Sequence, residues 1–174
     1  MELVPSLFEE NLDPKDFSTF SEFVEATALG KLLEVSERLA KQDPPPDIII
    51  SGDTIVTLNG EVFGKPKSPE KAFEMLSKLV GRKHVVFTGV CIKYGTKITK
   101  FTESADVFFG EANKEQIKAY VDTGEPLDKA GSYGIQGIGG TFVEKINGDF
   151  FTVMGLPLYR LSREICKLMD YDCK

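Results

Sequence analysis

Apolar positions change period several times along the chain, and each change marks an element. Phe20, Phe23, Val24, Ala28, Leu32, Val35 and Leu39 recur at approximately helical spacing. Thr19-Phe20-Ser21-Glu22 fits a capping box, so the pattern predicts a helix from Thr19 to about Lys41. Pro44-Pro45-Pro46 ends it, because successive prolines remove amide donors. Residues 1–18 read as irregular, with acids at Glu9, Glu10, Asp13 and Asp16 and prolines at 5 and 14. Asp47-Ile48-Ile49-Ile50-Ser51 predicts a short strand buried on both faces. Ile55 to Leu58, Asn59-Gly60 and Val62-Phe63 predict a hairpin around a tight turn.

Ser68-Pro69-Glu70 opens a second helix, with a capping serine and a proline in its first turn. Its apolar face is Ala72, Phe73, Leu76 and Leu79, and Gly81 closes it. Residues 83–93 and 97–109 read as two longer strands split at Gly95. Asn113, with Gln116 three residues on, caps a third helix that Gly124-Glu125-Pro126 stops. Residues 132–140 are rich in glycine. Two short strands around Asn147-Gly148-Asp149 are expected next, then a last helix from about Leu156 carrying Leu158, Leu161, Ile165 and Leu168. Strands and helices alternate without a clean βαβ repeat. The expected class is α/β, a mixed and partly antiparallel sheet with helices packed on it.

Composition narrows the picture further. At 174 residues, 41% hydrophobic and 28% charged, the chain fits one globular domain over 1–174. Its three cysteines, Cys91, Cys166 and Cys173, form no C-x-x-C pair, which argues against a disulfide framework or a structural zinc site. No basic, apolar leader and no long apolar run occurs, so the expectation is a cytoplasmic protein with no membrane partner. The net charge of −6 disfavours polynucleotide binding, which needs a basic face. With one histidine and no tryptophan, histidine chemistry has little material.

Two stretches carry candidate chemistry. In Ser51-Gly52-Asp53-Thr54 an apolar strand delivers a carboxylate after a glycine, at an expected strand end. Gly64-Lys65-Pro66 follows with a lysine between a permissive and a rigid residue. A carboxylate and an ammonium so placed suit an anionic substrate handled with a metal ion. The competing reading is a turn aspartate beside Thr54 and a solvated Lys65. The second stretch is Asp128 to Gly137, whose glycines can form an anion-holding nest and whose Gln136 can read a nucleobase edge. It matches neither a Walker A loop nor a GxGxxG fingerprint, and a plain glycine-rich turn competes with the nest. Lys31 reads as a snorkelling surface lysine, His84 as an edge or packing residue, and Tyr133 as a half-buried ring or a base-stacking one.

In order, Ser51-Gly52-Asp53-Thr54-Ile55-Val56, Gly64-Lys65-Pro66, Ala72 to Leu79 before Gly81-Arg82, His84 to Val90, Asp128 to Gly137, and Gly148-Asp149 with Gly155-Leu156-Pro157-Leu158 resemble the Maf family of nucleotide pyrophosphatases. Phe8-Glu9-Glu10-Asn11-Leu12-Asp13-Pro14 is similar to its animal branch. The resemblance implies a long mixed sheet like that of inosine-triphosphate pyrophosphatases. It also implies hydrolysis of dTTP- or UTP-type nucleotides, some of them modified, between the α and β phosphates, with a divalent cation (Mg²⁺ or Mn²⁺) and a homodimer. By position, Asp53 matches the proton acceptor and a metal ligand, and Glu10 resembles a metal-side acid. Lys31 and Lys65, and more weakly Lys129, match lysines facing the triphosphate, while Thr54 and Gln136 match positions that influence base choice.

The family pattern opens with a strand and a Ser-x-Ser-Pro-Arg-Arg loop, roughly 20 residues by usual element lengths, and this chain starts downstream of it. Ser51-Gly52 replaces the usual Gly-Ala, and Val80 a common serine. The alternative to an enzyme is therefore a non-catalytic nucleotide-binding or regulatory module.

Overall fold

Helix α1 begins where a threonine can cap it. A computed structural model describes residues 2–171, and in it α1 spans Phe20–Leu39. Thr19 Oγ1 accepts the Glu22 N–H at 3.1 Å. The box is half formed, because Glu22 reaches back to the Ser18 N–H rather than to Thr19. The other helices are α2, Pro69–Leu79; α3, Lys114–Asp122; α4, Phe150–Met154; and α5, Leu158–Leu168. The strands are β1, Ile48–Leu58; β2, Glu61–Phe63; β3, Lys83–Tyr94; β4, Lys97–Phe109; and β5, Val143–Asn147. They form one sheet in the order β2-β1-β3-β4-β5. The class is α/β, as expected, and the outer ladders are antiparallel. Val56 faces Phe63 and Leu58 faces Glu61 in one, while Val107 faces Ile146 in the other. Asn59 and Gly60 turn the first hairpin with φ of 51° and 82°, the paired positive angles that match strand twist.

The chain divides into two compact units. One takes the chain up to Asp53, Thr88–Glu103 and the chain from Leu156 onward. Its apolar contacts gather Val90, Ile92 and Phe101 against Leu161, and Ala28 and Leu32 against Cys91. A Cβ on Gly89 would lie 2.7 Å from the Val24 carbonyl carbon, so glycine lets α1 lie close on β3. The other unit takes Thr54–Phe87 and Ser104–Gly155. There Ala72, Leu76 and Leu79 of α2, all fully buried, meet Ile117, Tyr120 and Val121 of α3 over Val56, Val86 and Val107. Each buried leucine contributes about 1.5–3 kcal/mol.

Asn113 and Gln116 form the predicted capping box at 2.8 and 2.9 Å. Asn113→Ala is therefore expected to cost about 1 kcal/mol in urea denaturation. An unchanged midpoint would mean that water replaces the cap.

Four expectations need correction. The strand at 47–51 is neither short nor buried on both faces: β1 runs on to Leu58, Ile50 is exposed, and the continuous buried stretch is its far end, Ile55–Leu58. Ser51-Gly52-Asp53-Thr54 thus lies within the strand, not at its end. The strand continues through this polar stretch, where Ser51 Oγ is satisfied by the Ala28 carbonyl at 2.7 Å. The pair of strands around Asn147-Gly148-Asp149 is a single strand followed by α4, because Asp149 caps a helix through the Thr152 N–H at 2.9 Å. Tyr133 is neither half-buried nor free to stack on a base. It is buried, with its hydroxyl on His84 Nε2 at 2.9 Å. Of the cysteines, Cys91 is a buried free thiol whose pKa burial raises to about 11. Cys166 is disulfide-bonded, a pairing the sequence reading did not anticipate, and Cys173 lies outside the described residues.

Candidate active site

Two periodicities bring the first candidates together. Ser51 and Asp53 share a face of β1, because side chains alternate along a strand. Ala28 and Lys31 share a face of α1, because residues three apart are helix neighbours. The Ser51–Ala28 hydrogen bond therefore sets Asp53 beside Lys31. Lys31 Nζ donates to Asp53 Oδ1 at 2.7 Å and meets Glu10 Oε1 at 2.9 Å. The Lys31 and Asp53 side chains are only 16% and 11% exposed, so this pair is far less screened than a surface ion pair, while Glu10 sits at the open side at 49%. Burial works against the Lys31 ammonium. Asp53, then Glu10, outweigh it, and its pKa lies above the ordinary lysine value. Lys31 is thus not the snorkelling surface lysine that the helix pattern alone suggested.

Glu10 is delivered by a strap along α1, within a stretch that reads as irregular in the sequence. Glu34 Oε2 accepts from Ser6 Oγ at 3.1 Å and from the Leu7 N–H at 2.9 Å. Arg38 donates to the Pro5 carbonyl and to Glu34, both at 2.8 Å. The Arg38 hydrogen bond, with the Leu7 N–H, holds the Glu34 carboxyl at about 2. A Cβ on Gly30 would lie 2.4 Å from the Phe8 ring, so this glycine leaves room for the strap. Gly30→Val is expected to dislodge Phe8 and speed proteolytic cutting within residues 2–13 roughly tenfold at unchanged helix content. Unchanged cutting would show that the strap does not depend on Phe8.

The remaining candidates lie in the second unit. Thr54 is half-buried, and a Cβ on Gly155 would approach its Oγ1 to 3.3 Å. Lys65 is exposed just beyond β2. The Gly131 N–H donates to the Gly64 carbonyl at 3.1 Å, which ties the Lys65 segment to the glycine-rich loop. Lys129 pairs with Asp128, and Lys65 adds to the attraction that, with the Lys129 hydrogen bond leading, lowers the Asp128 pKa. The structure thus pairs Lys129 with Asp128, while Lys65 acts on that carboxylate only through its charge. Gln136 is exposed on the loop. The loop does form an anion nest, but its anion is internal: the Ile138 and Gly139 N–H groups both donate to Glu125 at 2.9 Å. Sequence reasoning took Glu125 as part of a helix stop and missed this role.

The sequence profile of the Maf family, described as Maf-like protein, matches residues 1–168. The chain belongs to this family. It is 44% identical over 174 residues to a dTTP/UTP pyrophosphatase of Clostridium perfringens strain SM101, covering 98% of this chain and 86% of that one. A dTTP/UTP pyrophosphatase of Clostridium botulinum strain Alaska E43 is 48% identical over 147 residues, 83% of this chain and 76% of that one. A human protein named probable bifunctional dTTP/UTP pyrophosphatase/methyltransferase is 44% identical over 176 residues. There the match covers 96% of the Maf-like chain but only 28% of the human protein.

Among the described residues of the Maf-like chain, no group of three or more His, Cys, Asp and Glu side chains is placed to hold a metal ion. Glu10 and Asp53 nonetheless converge on one cationic point, the Lys31 ammonium. One or two carboxylates completed by phosphate oxygens and water is the usual donor set for Mg²⁺ bound with a nucleotide, and these two fit it. Among the described residues no helix is long and apolar enough to cross a membrane.

Proposed function

We propose that this Maf-like chain is a nucleoside triphosphate pyrophosphatase, a hydrolase that cleaves dTTP- or UTP-type nucleotides, modified ones included, at the α–β bridge. Water adds at phosphorus, one of its protons passes to Asp53, and the products are a nucleoside monophosphate and pyrophosphate. The observation that carries the reading is the Glu10–Lys31–Asp53 cluster, a largely buried carboxylate whose charge an ammonium offsets at 2.7 Å. A carboxylate so placed can serve as the general base toward a bound water. The names of the relatives support the same substrate class.

In this reading Lys31, Lys65 and Lys129 bind phosphate oxygens, whose charge of about −4 calls for several cations. Thr54 and Gln136 select the base. Glu10 and Asp53 would hold Mg²⁺ or Mn²⁺, which when bound supplies positive charge to the phosphates. A homodimer in the cytoplasm completes the proposal.

The test is pyrophosphate release from dTTP, UTP, CTP, dATP and GTP, with Mg²⁺ and with Mn²⁺. Turnover confined to pyrimidine triphosphates and lost with a chelator is expected. Nucleotide binding without turnover across the panel would instead make the chain a binding module.

A further inference from the structure

The loop that carries Gln136 is held from both sides by one phenol and one carboxylate. Tyr120 of α3 donates to Glu125 Oε1 at 3.0 Å and accepts the Gly134 N–H at 3.2 Å. Glu125 takes the Gly139 N–H on Oε1 and the Ile138 N–H on Oε2, both at 2.9 Å. These bonds bracket Gln136, from Gly134 before it and from Ile138 and Gly139 after it. The loop glycines record the same contact. A Cβ on Gly137 would lie 2.6 Å from both Glu125 oxygens, and one on Gly139 would lie 2.5 Å from the Tyr120 hydroxyl. Gly137 has φ −113°, open to any residue, so its glycine serves the close approach and not the backbone angle. Burial opposes ionisation of Glu125, but the two backbone N–H groups and Tyr120 outweigh it and hold its pKa below the usual carboxylate value. Hydrogen bonds to an ionised acceptor are roughly twice as strong as neutral ones.

We infer that Glu125 and Tyr120 are positioning residues for base selection. By fixing the backbone on either side of an exposed Gln136, they set where its amide stands against the base edge. The inference rests on the proposed pyrophosphatase and on Gln136 as its base-reading residue. An amide that discriminates a base edge must be held within about 0.5 Å, and a glycine-rich loop does not supply that precision without such a clamp.

The test compares Glu125→Gln and Tyr120→Phe with the parent chain. The first keeps the side-chain volume but replaces one acceptor oxygen with a donor, and the second removes the bridging hydroxyl. Hydrogen exchange at Ile138 and Gly139 reads the clamp, and KM and kcat for UTP and dATP read selection. The expected result is exchange about tenfold faster, UTP KM raised about tenfold at kcat within about threefold, and a UTP-over-dATP preference reduced in proportion. A merely structural role would lower the folded, active fraction and leave KM and base preference alone. That outcome overturns the inference, as does a clamp that loosens with no change in preference. If Glu125→Gln does not fold, Tyr120→Phe carries the comparison by itself. A parent chain that protects both amides but turns over no nucleotide overturns the pyrophosphatase, and base selection with it. Unprotected amides in an active parent chain overturn the clamp alone.

Discussion

Asp53→Asn is expected to release pyrophosphate from UTP or dTTP about 10²–10⁴-fold more slowly than the parent chain, the usual contribution of a positioned general base. That is about 3–5 kcal/mol of transition-state stabilisation. Asparagine keeps the size of the side chain and can still accept a hydrogen bond from Lys31, but it cannot take a proton from water. The ammonium also retains Glu10 at 2.9 Å, so the site does not collapse around an unpaired cation. The loss should therefore appear in kcat with little change in the denaturation midpoint. A purely structural ion pair predicts the reverse, a lower midpoint with turnover within about threefold of the parent. That reverse result would remove Asp53 from the mechanism.

What the sequence revealed and what it hid differ by distance along the chain. Thr19, Ser68 and Asn113 each accept from an N–H three residues on, and Asn59-Gly60 closes its hairpin locally, so these elements were legible. The continuity of β1 was not, because Ser51 finds its partner at Ala28, 23 residues away. Helix α4 was hidden behind Asp149, equally at home in a turn or as a cap, and behind aromatic and β-branched residues that favour strands. The glycine-rich loop reads equally as an anion nest or a plain turn, and its internal anion is hidden because the Glu125 contacts to Ile138 and Gly139 span 13 and 14 residues. Lys31 shows the limit most plainly. Its helix pattern gave a solvated lysine, the family resemblance gave a phosphate ligand, and only the structure shows the carboxylates on either side of its ammonium.

Acid should unfold this protein earlier than its carboxylates require, and His84 is the reason. Its ring is 1% exposed, set edge-on against Phe109 and Tyr133, with Nε2 on the Tyr133 hydroxyl. Nδ1 is buried with no hydrogen-bond partner among the described residues. Burial lowers the pKa to about 4 from 6.5, against a smaller opposing pull from the Arg82 backbone, whose carbonyl takes the Phe109 N–H at 3.1 Å. The unfolded chain therefore binds a proton through pH 6.5 that the folded chain refuses until about 4. Stability is full above 6.5 and falls as pH drops, by about 2 kcal/mol between pH 7 and 4.5. That is a large part of a typical total of about 5–15 kcal/mol. Carboxylates with lowered values, such as Glu34, Glu125 and Glu164, act at lower pH: their contribution is present above about 4.5 and is lost below it. Because the chain has one histidine, the window from 6.5 to 4.5 belongs to His84. Urea denaturation at pH 7 and 4.5 should show this slope in the parent chain and its absence in His84→Phe, which keeps an aromatic ring but cannot titrate. The single imidazole signal should also titrate near 4 by NMR. An equal slope in the variant, or a signal titrating near 6.5, would mean that the ring reaches water and that the core around Tyr133 opens more readily than its packing implies.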